Sequence, residues 1–379
     1  MLMIPNDLLL ITGMDKISII NVNLYKLIRL IDVSGSSWIF TAILLNKNMV
    51  LTADANNNPS MASSYTARSG AGLGVGVGDV TSREFGSAGL IAQSSSKYDV
   101  GTVNLGASMS STSKEESSAH TYGLVDIKTN RVDSLSASKV DVVVNIGKNN
   151  YNSDTILNVS ANNKDNTTMT VDGQSGGVVS VANSLASATA NLTTNVTITG
   201  QGQASKLGEI NAASSSEAEH RLYANGDGGG AINISPYAAE VDSTMNLTTN
   251  TKLSGYLSAN QTKADAVGRG KSYTTTHAYQ GSITGGSGVQ TNSNITANTN
   301  VIANDNLKLT GDSIKLASLN EFITGPERED KNNNGRAYGG ITGNSVIGRE
   351  KINGTSQVKI GKNASLIADK ILTIDAKTK

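Results

Sequence analysis

The chain has 379 residues, with 31 basic and 31 acidic side chains, so its formal net charge is +0. This balance gives no electrostatic reason to expect nucleic acid or an anionic membrane as a partner. The absence of cysteine excludes a disulfide framework and a thiolate zinc site. With only 4% aromatic residues, small and β-branched side chains must supply the apolar surface, as in thin, closely spaced sheets.

Residues 1–58 are the most apolar part of the chain and include the runs Leu8 to Ile11 and Trp38 to Leu45. Both runs are shorter than the roughly 18 residues of a membrane-spanning helix, so no span is predicted. Asp7 and Asp15 interrupt the early part before any basic residue occurs, which does not fit a signal peptide. We expect an apolar N-terminal segment that forms either the first coils of the following region or a misplaced start of a longer precursor.

Residues 59–379 carry a degenerate repeat of about fifty-odd residues. The motif Asn-Leu-Thr-Thr-Asn at 191–195 recurs at 246–250, and Ile-Gly-Lys-Asn at 146–149 recurs at 360–363. A Tyr or Val followed by a glycine-rich stretch marks one phase of the repeat. These phase marks are Tyr65, Tyr122, Val171, Tyr223, Tyr279 and Tyr338.

Within each unit, apolar and polar residues alternate over short runs that end at Asn, Asp or Gly, as at 192–198 and 371–376. This period of two predicts strands joined by tight turns, and the Ser/Ala-rich stretch Ser108 to Ser118 is predicted to be a loop. The predicted fold class is all-β, a parallel β-helix (β-solenoid) in which Asn and Thr stack in ladders along the axis. Two coils per unit, about 4.8 Å apart, would give a rod of roughly 60 Å.

The short units such as 191–198 and 360–376, with glycine-rich insertions between them, resemble the central repeats of leukotoxin-type filamentous adhesins. These are relatives of the filamentous haemagglutinins exported by two-partner secretion. The resemblance covers about residues 59–379 and implies a right-handed parallel β-helix, export through an outer-membrane β-barrel transporter, and attachment at the bacterial cell surface. A recognisable secretion domain is missing from the sequence, which a fragment or truncated gene would explain.

The chemistry of the side chains predicts no catalytic, cofactor-binding or metal residue. His120, His220 and His277 each lie two or three residues before a phase mark, which favours a repeated surface position over a metal site. The stretch Asn225 to Gly230 is similar to a calcium-binding nonapeptide, but such sites occur in tandem and this one is single. A glycine-rich turn is favoured there, and calcium at Asp227 stays open.

Three functions remain after these exclusions. The leading one is a structural and adhesive shaft that binds host cells, matrix, glycans or other bacteria through its glycine-rich loops, such as Gly226 to Gly230 and Gly281 to Gly288. An inert spacer of a larger exoprotein or toxin is the second. A β-helical glycan-active enzyme is the third, although it needs converging carboxylates and the densest acidic group, Glu327 to Lys331, is of mixed sign.

Overall fold

The computed structural model describes residues 8–12, 16–21, 26–32, 50–93, 101–147, 153–202, 206–326 and 333–379. None of these residues forms a helix that is long and apolar enough to cross a membrane. Their regular structure is a set of strands: β1 Leu8–Thr12, β2 Lys16–Asn21, β3 Lys26–Asp32, β4 Val50–Asn57, β5 Ser60–Gln93, β6 Thr102–Ile146, β7 Ile156–Gly200, β8 Leu207–Ala303, β9 Lys308–Gly325, β10 Asn334–Tyr338, β11 Ile341–Ile360 and β12 Ser365–Thr378.

Strands β4 to β12 stack in parallel, so that each residue lies beside the residue about one repeat later. Thr102 lies opposite Ile156, an offset of 54 residues. At β10 and β11 the offset is 57, as for the pairs that join 277 to 334 and 284 to 341. This parallel all-β stack with a period of about fifty residues confirms the predicted β-helix.

One repeat unit forms one coil, so the prediction of two coils per unit is wrong. The seven coils are 50–93, 102–146, 156–200, 207–255, 256–303, 308–360 and 365–378, and we number them coil 1 to coil 7. Six steps of about 4.8 Å give a rod about 29 Å long, half the expected length. The prediction failed because it assumed short strands around a compact coil, whereas each coil is long and flat.

Each of coils 1 to 6 runs outward along a first leg, turns at a tip, and returns along a second leg, whereas coil 7 comprises only part of a first leg. Within coil 2 the hydroxyl of Ser117 donates a hydrogen bond to Asn130, and the hydroxyls of Ser111 and Ser136 lie 3.3 Å apart. Side chains from the two legs therefore meet inside the coil, and the tip lies between them at Tyr122–Gly123. The opposite end, where one coil passes to the next, is called the base.

Burial alternates residue by residue along both legs, for example throughout β7. The alternation follows from the pleat of a strand, which points successive side chains to opposite faces. The interior is filled mainly by Ala, Val, Leu and Ile in three clusters. The largest cluster fills the base, and its members include Val142, Leu157, Ile198, Leu257 and Leu309.

Asparagine side chains stack between coils on the outer faces, which confirms the predicted ladders. Asn250 donates to Asn195 at 2.9 Å and accepts from Asn300 at 3.0 Å. We call such a row of equivalent positions in successive coils a file, and this file links three coils. The two copies of the Asn-Leu-Thr-Thr-Asn motif lie directly opposite each other, and Asn246 donates to Asn191 at 2.8 Å. The repeated motif is therefore a repeated position in adjacent coils.

Two local predictions are wrong. Ser108 to Ser118 is strand within β6, because its alternate serines face the interior and bond to the other leg. The glycine-rich stretches Gly226 to Gly230 and Gly281 to Gly288 lie within the ladder of β8 and do not project as loops. Their backbone groups continue the sheet around the tip, where the small residue allows a tight bend. Glu327 to Lys331 lies outside the described residues.

The N-terminal segment contributes two kinds of strand. Strands β1, β2 and β3 pair antiparallel in sequence order, and β1 touches the stack where Thr12 lies opposite Ala53. Strand β4 lies within the parallel stack, because Val50 lies opposite Thr102 at an offset of 52 residues. The division of the chain at residue 58 stays a prediction.

Candidate functional site: the tip of the coils

The tips of coil 1 to coil 6 expose large apolar side chains, which together we call the tip strip. Leu124, Ile283 and Ile341 are 64%, 68% and 74% exposed. In the sheet register Leu73 lies opposite Val125 and Val75 lies opposite Ile127. Ile232 and Ile341 instead lie opposite Val179 and Thr284, which are not members of the strip. The strip therefore consists of neighbouring positions at the tips of coil 1 to coil 6, over about 24 Å along the rod axis. The strip consists of Leu73, Val75, Val77, Leu124, Val125, Ile127, Val178, Ile232, Ile234, Ile283 and Ile341.

The tip strip carries no charged side chain, and a file of glycines borders it. Tyr122 lies opposite Gly70 on one side and Gly176 on the other, and Gly176 lies opposite Gly229. At the far end of the file Tyr338 lies opposite Gly281. Two exposed tyrosines, about 19 Å apart over four coil steps, therefore bracket three glycines beside an apolar ridge.

The sequence predicted that the tyrosine phase marks share one position in successive repeats, but in the structure they lie in different files. Tyr65 lies opposite Ser117, five residues from Tyr122, and Tyr223 lies opposite Thr170. Tyr279 belongs to the file next to that of Tyr338, and their rings are 5.2 Å apart at an angle of 34°. The phase marks were chosen as tyrosine or valine, but one file of equivalent positions contains both glycines and tyrosines. Sequence spacing alone therefore did not identify the equivalent positions.

A polar ladder follows the other border of the glycine file. Its centre is Asn225, whose amide nitrogen donates to Asp172 at 2.8 Å and to Asp227 at 3.1 Å. The amide oxygen of Asn225 faces Nδ1 of His277 at 3.1 Å, so that nitrogen must carry the hydrogen. Below Asp172, Nε2 of His120 lies 3.5 Å from the carboxylate. The ladder fixes polar groups of four coils beside the tip strip.

The three histidines occupy different settings, so the prediction of one repeated surface position is wrong. His120 lies opposite Gln174, His277 lies opposite Asn334, and His220 lies opposite Thr167 on the first leg. His120 and His277 are partly exposed on the polar ladder. His220 is fully buried, because at its position the side chain points to the interior.

Both carboxylate oxygens of Asp227, the residue singled out for calcium, are engaged by the protein. One accepts from the backbone nitrogen of Tyr279 at 3.0 Å and the other from Asn225. Over the described ranges, no group of three or more His, Cys, Asp or Glu side chains is arranged to hold a metal ion. The polar ladder is therefore satisfied by hydrogen bonds between its own members.

A second group of ionisable side chains is buried between the legs. The hydroxyl of Ser243 lies 2.9 Å from Nδ1 of His220, and Nε2 of His220 lies 3.6 Å from Asp165. Burial raises the pKa of Glu84 to about 6 and also raises that of Glu115. Burial acts to raise the pKa of Asp165 as well, but the neighbouring His220 imidazole and the hydroxyls of Ser111 and Ser136 lower it on balance. These residues were missed because they lie on the inward face of Ser/Thr-rich strands.

The contacts from Ser243 to His220 to Asp165 resemble the order of a nucleophilic triad, but a triad must be accessible to its substrate and these side chains are buried. Ser243 is 1% exposed, and His220 and Asp165 are fully buried. A substrate could reach Ser243 only if the two legs separated. In the folded rod the constellation links the two legs of coil 4 through His220 and Ser243 and places His220 beside Asp165 of coil 3.

Lys128 is a buried cation directly behind the tip strip. Its ammonium donates to the hydroxyl of Ser184 at 3.0 Å, and the side chain is fully buried. Burial lowers the pKa of Lys128 to about 8, although Asp172, Asp227 and Asp126 act in the opposite direction. Gly173 makes room for it, because a methyl group at that position would lie 1.2 Å from the ammonium nitrogen.

The tip thus combines an exposed apolar strip, a file of glycines with two tyrosines, and a fixed polar ladder. This arrangement suits contact with another molecule along the rod, since large exposed apolar patches mark interaction surfaces. Sequence reasoning found the tyrosines and glycines but missed the strip, whose valines and isoleucines look like ordinary strand residues. No protein-family model matches this sequence, and no curated protein or solved structure matches it either.

Proposed function

We propose that this chain is a structural and adhesive shaft of a secreted bacterial surface adhesin, and that the tip strip with its bordering tyrosines makes the adhesive contact. The observation that carries the proposal is the exposure of large apolar side chains at the tips of six neighbouring coils of a repetitive rod. A β-helix with a purely mechanical role would not need an apolar row on one edge.

The same features support contact along the rod axis. Tyr122, Tyr279 and Tyr338 are about half exposed, and tyrosine offers a large contact area with little loss of conformational entropy. The polar ladder places amide, carboxylate and imidazole groups at fixed positions beside the strip. A partner that spans several coils could therefore use apolar and polar contacts together. Secretion by a two-partner system and localisation at the bacterial surface belong to the same proposal.

Binding of the purified, labelled chain to host cells, matrix proteins, glycans and bacterial cells tests the proposal. We expect saturable binding by the native chain. A triple variant Leu124→Ser, Val178→Ser and Ile283→Ser should lose at least about tenfold in affinity, because each buried apolar side chain is worth about 1.5–3 kcal/mol.

The matched control carries the same number of changes on an exposed polar face, Lys139→Ser, Lys252→Ser and Lys263→Ser. It should bind like the native chain, and both proteins should retain a β-type circular dichroism spectrum. Saturable binding that the tip variant leaves unchanged would place the contact elsewhere on the rod. Failure of the folded native chain to bind any member of the panel would favour the spacer.

A further inference from the structure

The tip strip is uneven along the rod, because most of its large side chains belong to coils 1 and 2. There Leu73 lies opposite Val125 and Val75 lies opposite Ile127, so apolar side chains of two coils stand side by side on the second leg. The least exposed of them is 38% exposed and the most exposed 64%. We call this part of the strip the apolar block, which consists of Leu73, Val75, Val77, Leu124, Val125 and Ile127.

The other end of the tip strip is a shallow groove with a floor of glycine. Gly286 of coil 5 lies opposite Gly343 of coil 6, and the space above them has a volume of about 600 Å³. The exposed side chains of Ile234 and Ile341 form its apolar walls. A methyl group added to Gly343 would meet no atom of the described residues within 4 Å, so the floor is open there. We call this space the tip groove.

The size and the neutrality of the tip strip restrict what it can bind. Its side chains expose on the order of 1,000 Å² of apolar surface, whereas the largest patch on a typical soluble monomer is about 300–600 Å². The members of the strip are all Leu, Val or Ile, so attraction between opposite charges cannot select the partner. The partner must therefore be apolar over several coils and match the strip in shape.

A second copy of the chain meets both requirements. A two-fold axis in the contact plane and perpendicular to the rods makes the rods antiparallel, so that coil 1 lies beside coil 6 and coil 2 beside coil 5. The apolar block of each copy then faces the tip groove of the other, and the same contact is made twice. Parallel rods would instead place block against block and leave both glycine floors uncovered.

The area of such a contact is sufficient for a specific dimer. Covering about two-thirds of the strip on both copies would bury on the order of 1,500 Å² in total, within the range of about 1,200–2,000 Å² for specific interfaces. Antiparallel rods also suit attachment between cells, because rods that project from two facing surfaces approach each other in opposite directions.

We propose that the partner of the tip strip is a second copy of this chain, bound antiparallel so that the apolar block of each copy fills the tip groove of the other. This inference rests on the proposed function, in which the tip strip is the contact surface, and it names the partner. Attachment between cells that carry the rod then requires no separate receptor.

Sedimentation equilibrium of the purified chain measures the association. We expect a concentration-dependent dimer of the native chain. The variant Gly343→Leu places a side chain in the tip groove and should raise the dissociation constant of the dimer at least about tenfold. The matched control Gly325→Leu adds the same side chain on the first leg of coil 6, where an added methyl also meets no described atom within 4 Å, and should associate like the native chain. Both variants should keep a β-type circular dichroism spectrum.

Disulfide formation between copies reports their orientation, because the chain contains no cysteine of its own. Gly72→Cys lies at the tip of coil 1 and Thr342→Cys beside the groove of coil 6, about 24 Å apart along the rod. A mixture of the two variants should form the disulfide between copies. Neither variant alone should form it, because a disulfide requires Cα atoms within about 7 Å of each other. Cross-links in each variant alone would indicate parallel rods and overturn the proposal.

The remaining outcomes separate this proposal from the proposed function. A native chain that stays monomeric would overturn the second copy as partner, and if it still bound the panel of cells, matrix proteins and glycans through its tip strip, the adhesive role would stand. A dimer that Gly343→Leu leaves unchanged would place the contact elsewhere and also overturn the proposal. A dimer with the expected cross-link that binds no member of the panel would support the contact between copies while the adhesive role fails.

Discussion

Replacement of the buried cation by an apolar side chain of similar length should stabilise the rod. Lys128 has a pKa of about 8 in the folded chain against an ordinary value of 10.5, and each pKa unit corresponds to about 1.36 kcal/mol. Keeping the ammonium charged in the folded state therefore costs about 3 kcal/mol below pH 8. The variant Lys128→Met removes this cost but leaves Ser184 without its donor, a loss of about 1 kcal/mol. We expect a net gain of about 2 kcal/mol at pH 7.

The sign of the pH dependence follows from the direction of the shift. For a base whose pKa is lowered by folding, the charged form is penalised in the folded state, so stability is lower below pH 8 and rises as the pH increases toward 10.5. Between pH 7 and pH 10 the native chain should gain about 2–3 kcal/mol relative to Lys128→Met.

Urea denaturation at pH 7 and at pH 10, followed by circular dichroism, measures both effects. The control Lys139→Met changes an exposed lysine of the same coil and should alter the free energy of unfolding by less than about 0.5 kcal/mol at either pH. If Lys128→Met proves less stable than the native chain at pH 7, the ammonium is better compensated than its surroundings indicate, and the reasoning is refuted.

Three further predictions concern the interior and the ladders. Glu84 has its pKa raised from 4.5 to about 6, so stability should be lost as the pH rises from about 4 to 7, mainly between 4.5 and 6, by up to about 2 kcal/mol, and Glu84→Gln should flatten this dependence in urea titrations. His220→Leu should lower the free energy of unfolding by about 1–3 kcal/mol, because it leaves the buried Ser243 hydroxyl without its imidazole partner and removes the imidazole beside the Asp165 carboxylate, to which Ser111 and Thr167 still donate. Asn250→Ala should cost about 1–2 kcal/mol in thermal denaturation, because it breaks two links of an asparagine file.

Each of these three predictions has a control variant or an outcome that would contradict it. Glu116→Gln, at an exposed position of coil 2, should leave the pH dependence of the native chain intact. The control Ser243→Ala removes only the hydroxyl partner of His220 and should cost less than His220→Leu, so an equal cost would assign the whole loss to that one hydrogen bond. Asn246→Ala breaks one exposed link, so a cost equal to that of Asn250→Ala would contradict the additive view of the ladder.

The architecture could be predicted from the sequence because alternation of apolar and polar residues indicates strands, and the repeat indicates that these strands stack in parallel. The recurrence of Asn-Leu-Thr-Thr-Asn predicted equivalent positions in successive repeat units, and Asn191 lies opposite Asn246 in the next coil. The number of coils per unit was wrong because periodicity does not show where a chain turns. Only contacts such as that of Ser111 with Ser136 establish that the two halves of a unit are the legs of one coil.

The candidate site was less predictable, because its properties depend on which face each residue occupies. His220 and His277 look equivalent in the sequence, yet one points into the interior and the other onto the polar ladder. Leu124 and Val142 are both apolar strand residues, but the first is exposed on the tip and the second is buried in the base. A shift of one residue in a strand exchanges inside and outside, and single-sequence patterns cannot fix that choice at a tip rich in glycine.

Apolar side chains at the base stabilise the stack of coils, whereas the apolar side chains exposed at the tip are available for contact with a partner. The largest apolar cluster lies at the base and runs from Leu90 in coil 1 to Leu316 in coil 6, so each coil is anchored there to its neighbours. At the tip the interior is polar, with Lys128, Ser175 and Asn233, and apolar side chains lie outside. Substitutions at the tip therefore change little of the buried apolar area that holds the stack together. A rod built in this way can vary its contact surface from coil to coil while the base preserves the register between coils.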